Sequence, residues 1–197
     1  MLRKNSAFLL KTIFSAIKSI LGKRNIQVAL YLAFFVSGVN LYQYKREDFV
    51  VFRTLGDYKT SVRVLEVSKR HDIDPLMVTS VIVSESSGYP FAVSYMNARG
   101  LMQLMPKTAL YVAKKTRKDL YRKIVKKPGM IYHPDVNMEL AVIHLKSAYK
   151  YMAQNWKSAL HIYNLGGGAF SRGQRNFHYV KGILKRFKKW KGDQEKA

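Results

Sequence analysis

The chain has 197 residues, room for one globular domain and an appendage. Hydrophobic residues make up 48% and aromatics 13%, which supplies a core and excludes a mostly disordered chain. There is no cysteine, so disulfides, thiolate metal sites and a cysteine nucleophile are excluded, while 35 Lys+Arg against 12 Asp+Glu give a net charge of +23 that suits a polyanionic partner: nucleic acid, anionic lipid or an acidic wall polymer.

Residues 1–24 form a basic lead with Arg3, Lys4, Lys11, Lys18, Lys23 and Arg24 and no acid. Residues 25–44 then carry no charge. A helix of that length spans about 30 Å, the thickness of a bilayer core. Tyr31, Tyr42 and Tyr44 suit interfacial anchoring, and the basic lead predicts a cytoplasmic N-terminus. The expectation is a single-pass signal anchor in the inner membrane with the rest of the chain in the periplasm. A cleaved signal peptide, with small residues Val36-Ser37-Gly38, is the alternative that would leave a secreted or periplasmic chain, and a buried core helix is the third reading.

Residues 45–59 read as a connector of mixed charge and little periodicity. From Thr60, Val62, Leu65 and Val67 predict a short helix ending near His71. Asp74-Pro75 is a helix start, with Asp as N-cap and Pro at the first helical position. The run LMVTSVIVSES, residues 76–86, is β-branched, yet the cap and the length favour a buried helix. Gly88-Tyr89-Pro90 ends it, and residues 91–99 read as a loop. Pro106 opens another helix. Residues 114–127 hold eight basic residues and Asp119 alone as acid. Asp135 or Asn137 is expected to cap a long helix from Met138 to about Gln154. Residues 157–164 predict a further helix stopped by Gly166-Gly167-Gly168, and residues 177–190 a last, strongly basic one, before a polar tail at 191–197. A mainly helical domain over residues 60–190 is the expectation.

Glu85 is the sole acid between Asp74 and Asp119. It sits near the C-terminus of an apolar helix, where the dipole and the apolar neighbours both disfavour negative charge. A carboxyl kept protonated in a cleft is what a general acid requires. Taken singly, it also reads as an ordinary helix-end Glu paired with a Lys or Arg. The later acids Asp135 and Glu139 read as cap and surface residues. The histidines at 71, 133, 144, 161 and 178 have no ligand spacing and read as structural or exposed, so neither a metal nor another cofactor is expected.

Four motifs stand in order. Glu85-Ser86 is followed by Gly100-Leu101-Met102-Gln103 and Pro106-Lys107-Thr108-Ala109; Asn137 stands in HPDVNMELAVIHL; Tyr163-Asn164-Leu165-Gly166 follows; Tyr179-Val180 lies in NFHYVKGIL. Together they resemble the family 1 lytic transglycosylases, relatives of the soluble lytic murein transglycosylase catalytic domain, over about residues 60–187. Ile162, Ala141, His144 and the extra glycines at 167–168 depart from the family's usual residues, and the basic stretch 114–127 is the least family-like part.

The resemblance implies a mainly α domain of the α+β lysozyme-like superfamily. It also implies cleavage of the bond between N-acetylmuramic acid and N-acetylglucosamine in peptidoglycan glycan strands. Glu85 would be the single general acid/base, leaving a 1,6-anhydro end. The usual two-carboxylate template is then unnecessary, because the sugar's own carbon-6 hydroxyl is the nucleophile. Ser86 would orient Glu85 or the substrate, or simply cap the helix. Gln103 would bind sugar amide or hydroxyl groups, and Met102 would form an apolar wall or pack in the core. Tyr163 would hydrogen-bond near Glu85 or the acetamido group, Asn164 would hold its loop, and Tyr179 would line the cleft. Two other readings share the fold: a lysozyme-type hydrolase and an inactive wall-binding module. Cell-envelope machinery is a further candidate partner, and nucleic acid is not expected in that compartment.

Overall fold

The computed structural model describes residues 46–195. The basic lead and the uncharged segment 25–44 lie outside the described residues. Among those described, no helix is long and apolar enough to cross a membrane.

The described chain is a bundle of α-helices: α1 (Arg46–Leu55), α2 (Tyr58–His71), α3 (Pro75–Ser86), α4 (Pro106–Thr116), α5 (Lys118–Lys126), α6 (Pro134–Tyr151), α7 (Trp156–Leu165), α8 (Gly167–Ser171) and α9 (Phe177–Glu195). A 3-10 turn, Pro128–Tyr132, precedes α6. There is no strand among the described residues. The loop between α3 and α4 carries two isolated antiparallel bridges, Val93 with Arg99 and Arg99 with Leu104.

α3 is the central element, packed by α1, α2 and α9. The Asp74 carboxylate accepts from Leu76 N–H at 2.8 Å, and Pro75 takes the first helical position, where a missing N–H costs nothing. Every residue from Leu76 to Ile82 is buried. That explains why its sequence shows no amphipathic period: a helix enclosed on all sides needs none. At its far end Ser87 adopts a left-handed conformation and closes the last turn onto Val83.

Three segments differ from their sequence reading. Residues 46–55, read as connector, form α1, whose Val51 is fully buried against the core. The long helix starts at Pro134 rather than Met138, so neither Asp135 nor Asn137 caps it; His133 holds the cap position without a side-chain bond. Proline at the first position sets that start. Asp135 stays in the first turn, where the helix dipole favours it, ion-paired to Arg63. The last helix continues through most of the segment read as a tail, and Lys191 bridges Glu47 and Asp74, tying α9 to α1 and to the cap of α3.

Glu139 also differs. Read as a surface residue, its side chain is 5% exposed. Arg70 and Arg117 both hydrogen-bond its carboxylate, and His71 Nε2 lies 3.1 Å away. α2, α6 and the α4–α5 junction meet at this carboxylate.

Candidate active site

α3 delivers Glu85 one residue before its C-terminus, beyond the fully buried stretch. The carboxyl is partly buried, and Tyr179 Oη, carried by α9, donates to Glu85 Oε1 at 2.5 Å. No other described side chain hydrogen-bonds this carboxylate. Burial pushes the Glu85 pKa up from 4.5 to about 7, and the Tyr179 hydrogen bond opposes the rise by favouring the charged form. Near neutrality the carboxyl can therefore exist in both its protonated and its charged form.

Several other acids among the described residues are engaged elsewhere. Asp57 caps α2 through Thr60, Asp72 meets Lys146, Asp119 meets Arg117, and Asp135 and Glu139 are held as described above. No carboxylate is among the causes of the Glu85 shift. The arrangement is one desolvated carboxyl with phenol neighbours, and it can give a proton and take one back.

Tyr163 and Tyr179 are both half-buried phenols, and both are held well above the ordinary tyrosine pKa, first by burial and then by the Glu85 charge. They are thus hydrogen-bond donors over the whole working range. Tyr179 spends its proton on Glu85, whereas Tyr163 donates to Met102 O at 2.7 Å. The Tyr163 ring lies 5.6 Å from that of His144, centroid to centroid. Burial lowers the His144 pKa, so this ring is neutral at pH 7.

The loop of residues 87–105 is fixed at several points. Ser86 Oγ donates to Leu101 O at 2.7 Å and accepts from Gly88 N–H at 3.2 Å. Ser86 therefore ties the loop back to α3 and makes no bond to Glu85. Asn137, fully buried, is the second tie. Its Oδ1 accepts from Met102 N at 2.8 Å, and its Nδ2 donates to Arg99 O at 2.8 Å and Ile131 O at 3.0 Å. Gly100 sits directly above this amide with φ +78°, and a Cβ there would stand 2.5 Å from Asn137 Nδ2. Only glycine meets both demands. Met102 is 0% exposed, so its side chain belongs to the core and not to a cleft wall.

Gln103 has φ +46° and donates through Nε2 to Ala92 O and Gly100 O, each at 3.0 Å. Its Oε1 has no partner among the described residues. Asn164 is exposed and accepts from Asn176 Nδ2 at 2.9 Å, joining the end of α7 to the segment before α9. The loop also exposes Tyr89 and Phe91, whose rings meet edge-on at 6.0 Å, with Tyr132 next to Phe91 at 6.5 Å.

Of the residues singled out from sequence, Glu85, Tyr179 and Tyr163 meet electrostatically at one place. Ser86, at the end of α3, holds the adjoining loop that carries Met102 and Gln103, and Asn164 stands apart on the surface. Sequence reasoning missed Asn137 as the loop's clamp and His144 as the neighbour of Tyr163. The sole signal for the latter was its departure from the family's usual residue.

The chain is similar to known proteins in sequence and in fold. A 46-residue stretch is 46% identical to membrane-bound lytic murein transglycosylase C of Mannheimia succiniciproducens, covering 23% of this chain and 13% of that one. A 97-residue stretch is 31% identical to the soluble lytic murein transglycosylase of Salmonella typhimurium, covering 49% of this chain and 14% of that one. Among solved structures, the 70 kDa soluble lytic transglycosylase of Escherichia coli superposes with a TM-score of 0.60 at 19% identity, over 96% of this chain and 30% of that chain. An inactive mutant of lytic transglycosylase Slt from Pseudomonas aeruginosa gives 0.54 at 21% identity, over 68% and 24%. These relatives are therefore several times longer than the part matched here. The transglycosylase SLT domain matches residues 64–183, well over half the chain, and the chain belongs to that family.

Proposed function

We propose that this protein is a peptidoglycan lytic transglycosylase that cleaves the MurNAc–GlcNAc bond with Glu85 as its single acid and base. The observation that carries the reading is the Glu85 carboxyl, desolvated to a pKa of about 7 with no second carboxylate to share the work. Protonated Glu85 gives its proton to the leaving glycosidic oxygen. The resulting carboxylate takes the proton of the muramic acid carbon-6 hydroxyl, which bonds to the anomeric carbon and closes the 1,6-anhydro ring. The proton returns to Glu85 and no water is consumed. Tyr179 steadies the carboxylate in the interval between the two transfers.

Gln103 offers its unpaired Oε1 to a sugar N–H or O–H, and Tyr163 fixes the Met102 backbone beside it. The exposed Tyr89 and Phe91 rings suit the apolar faces of pyranose rings. Ser86 and Asn137 act on the loop rather than on substrate, and Asn164 holds the α7–α9 connection.

The uncharged segment 25–44 behind six basic residues supports a single-pass inner-membrane anchor, with the catalytic domain facing the periplasmic wall. The test of the chemistry is digestion of purified sacculi followed by mass spectrometry of the fragments. Anhydro-muramic ends, absent with Glu85→Gln, are expected. Reducing muramic ends would replace this reading by a hydrolase on the same fold.

A further inference from the structure

A groove of about 560 Å³ runs along α9, lined by Phe177, Val180 and Leu184 and rimmed by Lys157, Lys181, Lys185 and Lys188. At 3.6 residues per turn these α9 positions share one side of the helix. Tyr179, Ile183 and Arg186 occupy the opposite side, where Tyr179 reaches Glu85 and Arg186 reaches Ser80 O and Ser84 Oγ on α3. The groove therefore faces away from the reaction site. None of its four lysines forms an ion pair among the described residues, and Lys157 Nζ stands 5.9 Å from the centroid of the exposed Phe177 ring. The result is a recessed aliphatic floor between uncompensated cations.

We propose that this groove docks an acidic amphipathic segment of a partner protein, apolar side chains on the floor and carboxylates on the lysine rim. Charge complementarity selects the occupant. Residues 1–46 contain no Asp or Glu, and no acid-rich run occurs anywhere in the chain, so neither its own N-terminal part nor a second copy supplies the needed charge. A bilayer surface presents phosphates to the rim but no apolar side chains at helical spacing to the Phe177–Leu184 floor. An acidic helix with apolar residues at i, i+3, i+4 and i+7 fills both demands.

The probe is a fluorescein-labelled leucine–glutamate peptide of that spacing, titrated against the full chain by fluorescence anisotropy. A scrambled peptide of identical composition and phosphatidylglycerol vesicles are run in parallel. The ordered peptide is expected to bind about tenfold or more tighter than the scrambled one, with a like loss for Lys181→Glu/Lys185→Glu and a smaller loss for Phe177→Ser. Digestion of soluble glycan fragments should be unchanged in these variants. Equal binding of ordered and scrambled peptides would overturn the proposal, as would binding indifferent to the lysine changes. Lysine-dependent binding of vesicles alone would replace the partner segment by a membrane surface. Loss of glycan digestion in the lysine variants would make the groove part of the substrate site instead.

Discussion

Two glutamates of this domain are withdrawn from water, and they are treated in opposite ways. Glu139 lies between Arg70 and Arg117 with His71 beside them, so its charge is matched by cations at the meeting of three segments. Glu85 has phenols for neighbours and no cation, so burial acts on it nearly unopposed and its pKa climbs to about 7. In a chain with a net charge of +23, leaving one carboxylate without a lysine or arginine is the unusual arrangement. Both carboxyls are withdrawn from water; what distinguishes Glu85 is that no cation stands beside it, so desolvation favours its protonated form.

Exchanging the two carboxyls for amides should separate the roles most sharply. Glu85→Gln should reduce sacculus lysis roughly 10²–10⁴-fold, the usual share of a general acid, while the protein stays folded. Glu139→Gln should leave lysis per folded molecule within a few-fold but lower unfolding stability by about 1–3 kcal/mol, because two partly exposed guanidinium groups lose their charged partner. Denaturant melts alongside turnover would show this. A Glu139 variant that is stable but inactive would break the comparison.

Asn137→Ala should come next. It strips a buried N–H, a buried carbonyl and a part-buried carbonyl of their partner and should cost about 3 kcal/mol. Gly100→Ala attacks the same contact through a strained φ and a 2.5 Å clash, and should cost about 2 kcal/mol. Both should loosen the loop that carries Gln103, raising KM in the molecules that remain folded.

Stability against pH gives a third measurement. The folded Glu85 pKa, about 7, exceeds its value of 4.5 in the unfolded chain, so the folded state binds the extra proton between these limits. Its contribution is present below pH 4.5 and lost as pH rises through 7, which amounts to about 3 kcal/mol at most. Glu85→Gln should therefore match the wild type in acid and exceed it by up to about 3 kcal/mol at pH 8. Equal stability of both proteins across that window would mean that Glu85 is not desolvated.

What the sequence made legible follows from how locally each feature is encoded. α3 was readable because Asp74-Pro75 marks its start and its length outruns a strand. Glu85 was readable because acids are scarce around it. α1 was not, since residues 46–55 carry no proline or capping turn and their helicity depends on burying Val51. The Glu139 cluster was hidden for a similar reason. Its partners lie 69 and 22 residues away, and a Glu near the start of a helix reads as exposed. Asn137 looked like a helix cap because asparagine at a helix start usually is one; here Pro134 moves the start forward and turns the amide inward. Ser86 and Gln103 were found by motif, but their bonds to Leu101, Ala92 and Gly100 depend on how the loop folds back.

The smallest effect is also the most direct probe of the Glu85 environment. Tyr179 Oη donates to Oε1 and so favours the carboxylate, partly offsetting desolvation. Tyr179→Phe removes that donor while keeping the ring that excludes water. The Glu85 pKa should then rise above 7, and with it the alkaline limb of the kcat/KM profile on soluble glycan fragments. Relative to its own maximum, the variant's activity should match the wild type's at pH 6, where the acid is protonated in either protein, and exceed it at pH 8, where the variant still holds its proton. A further loss would come from the second half-reaction, in which the carboxylate acts as base without the phenol to steady it, and this would lower kcat evenly across pH. A limb that moves downward would mean that Tyr179 favours the protonated acid instead, and the contrast with the arginine-paired Glu139 would lose its electrostatic basis.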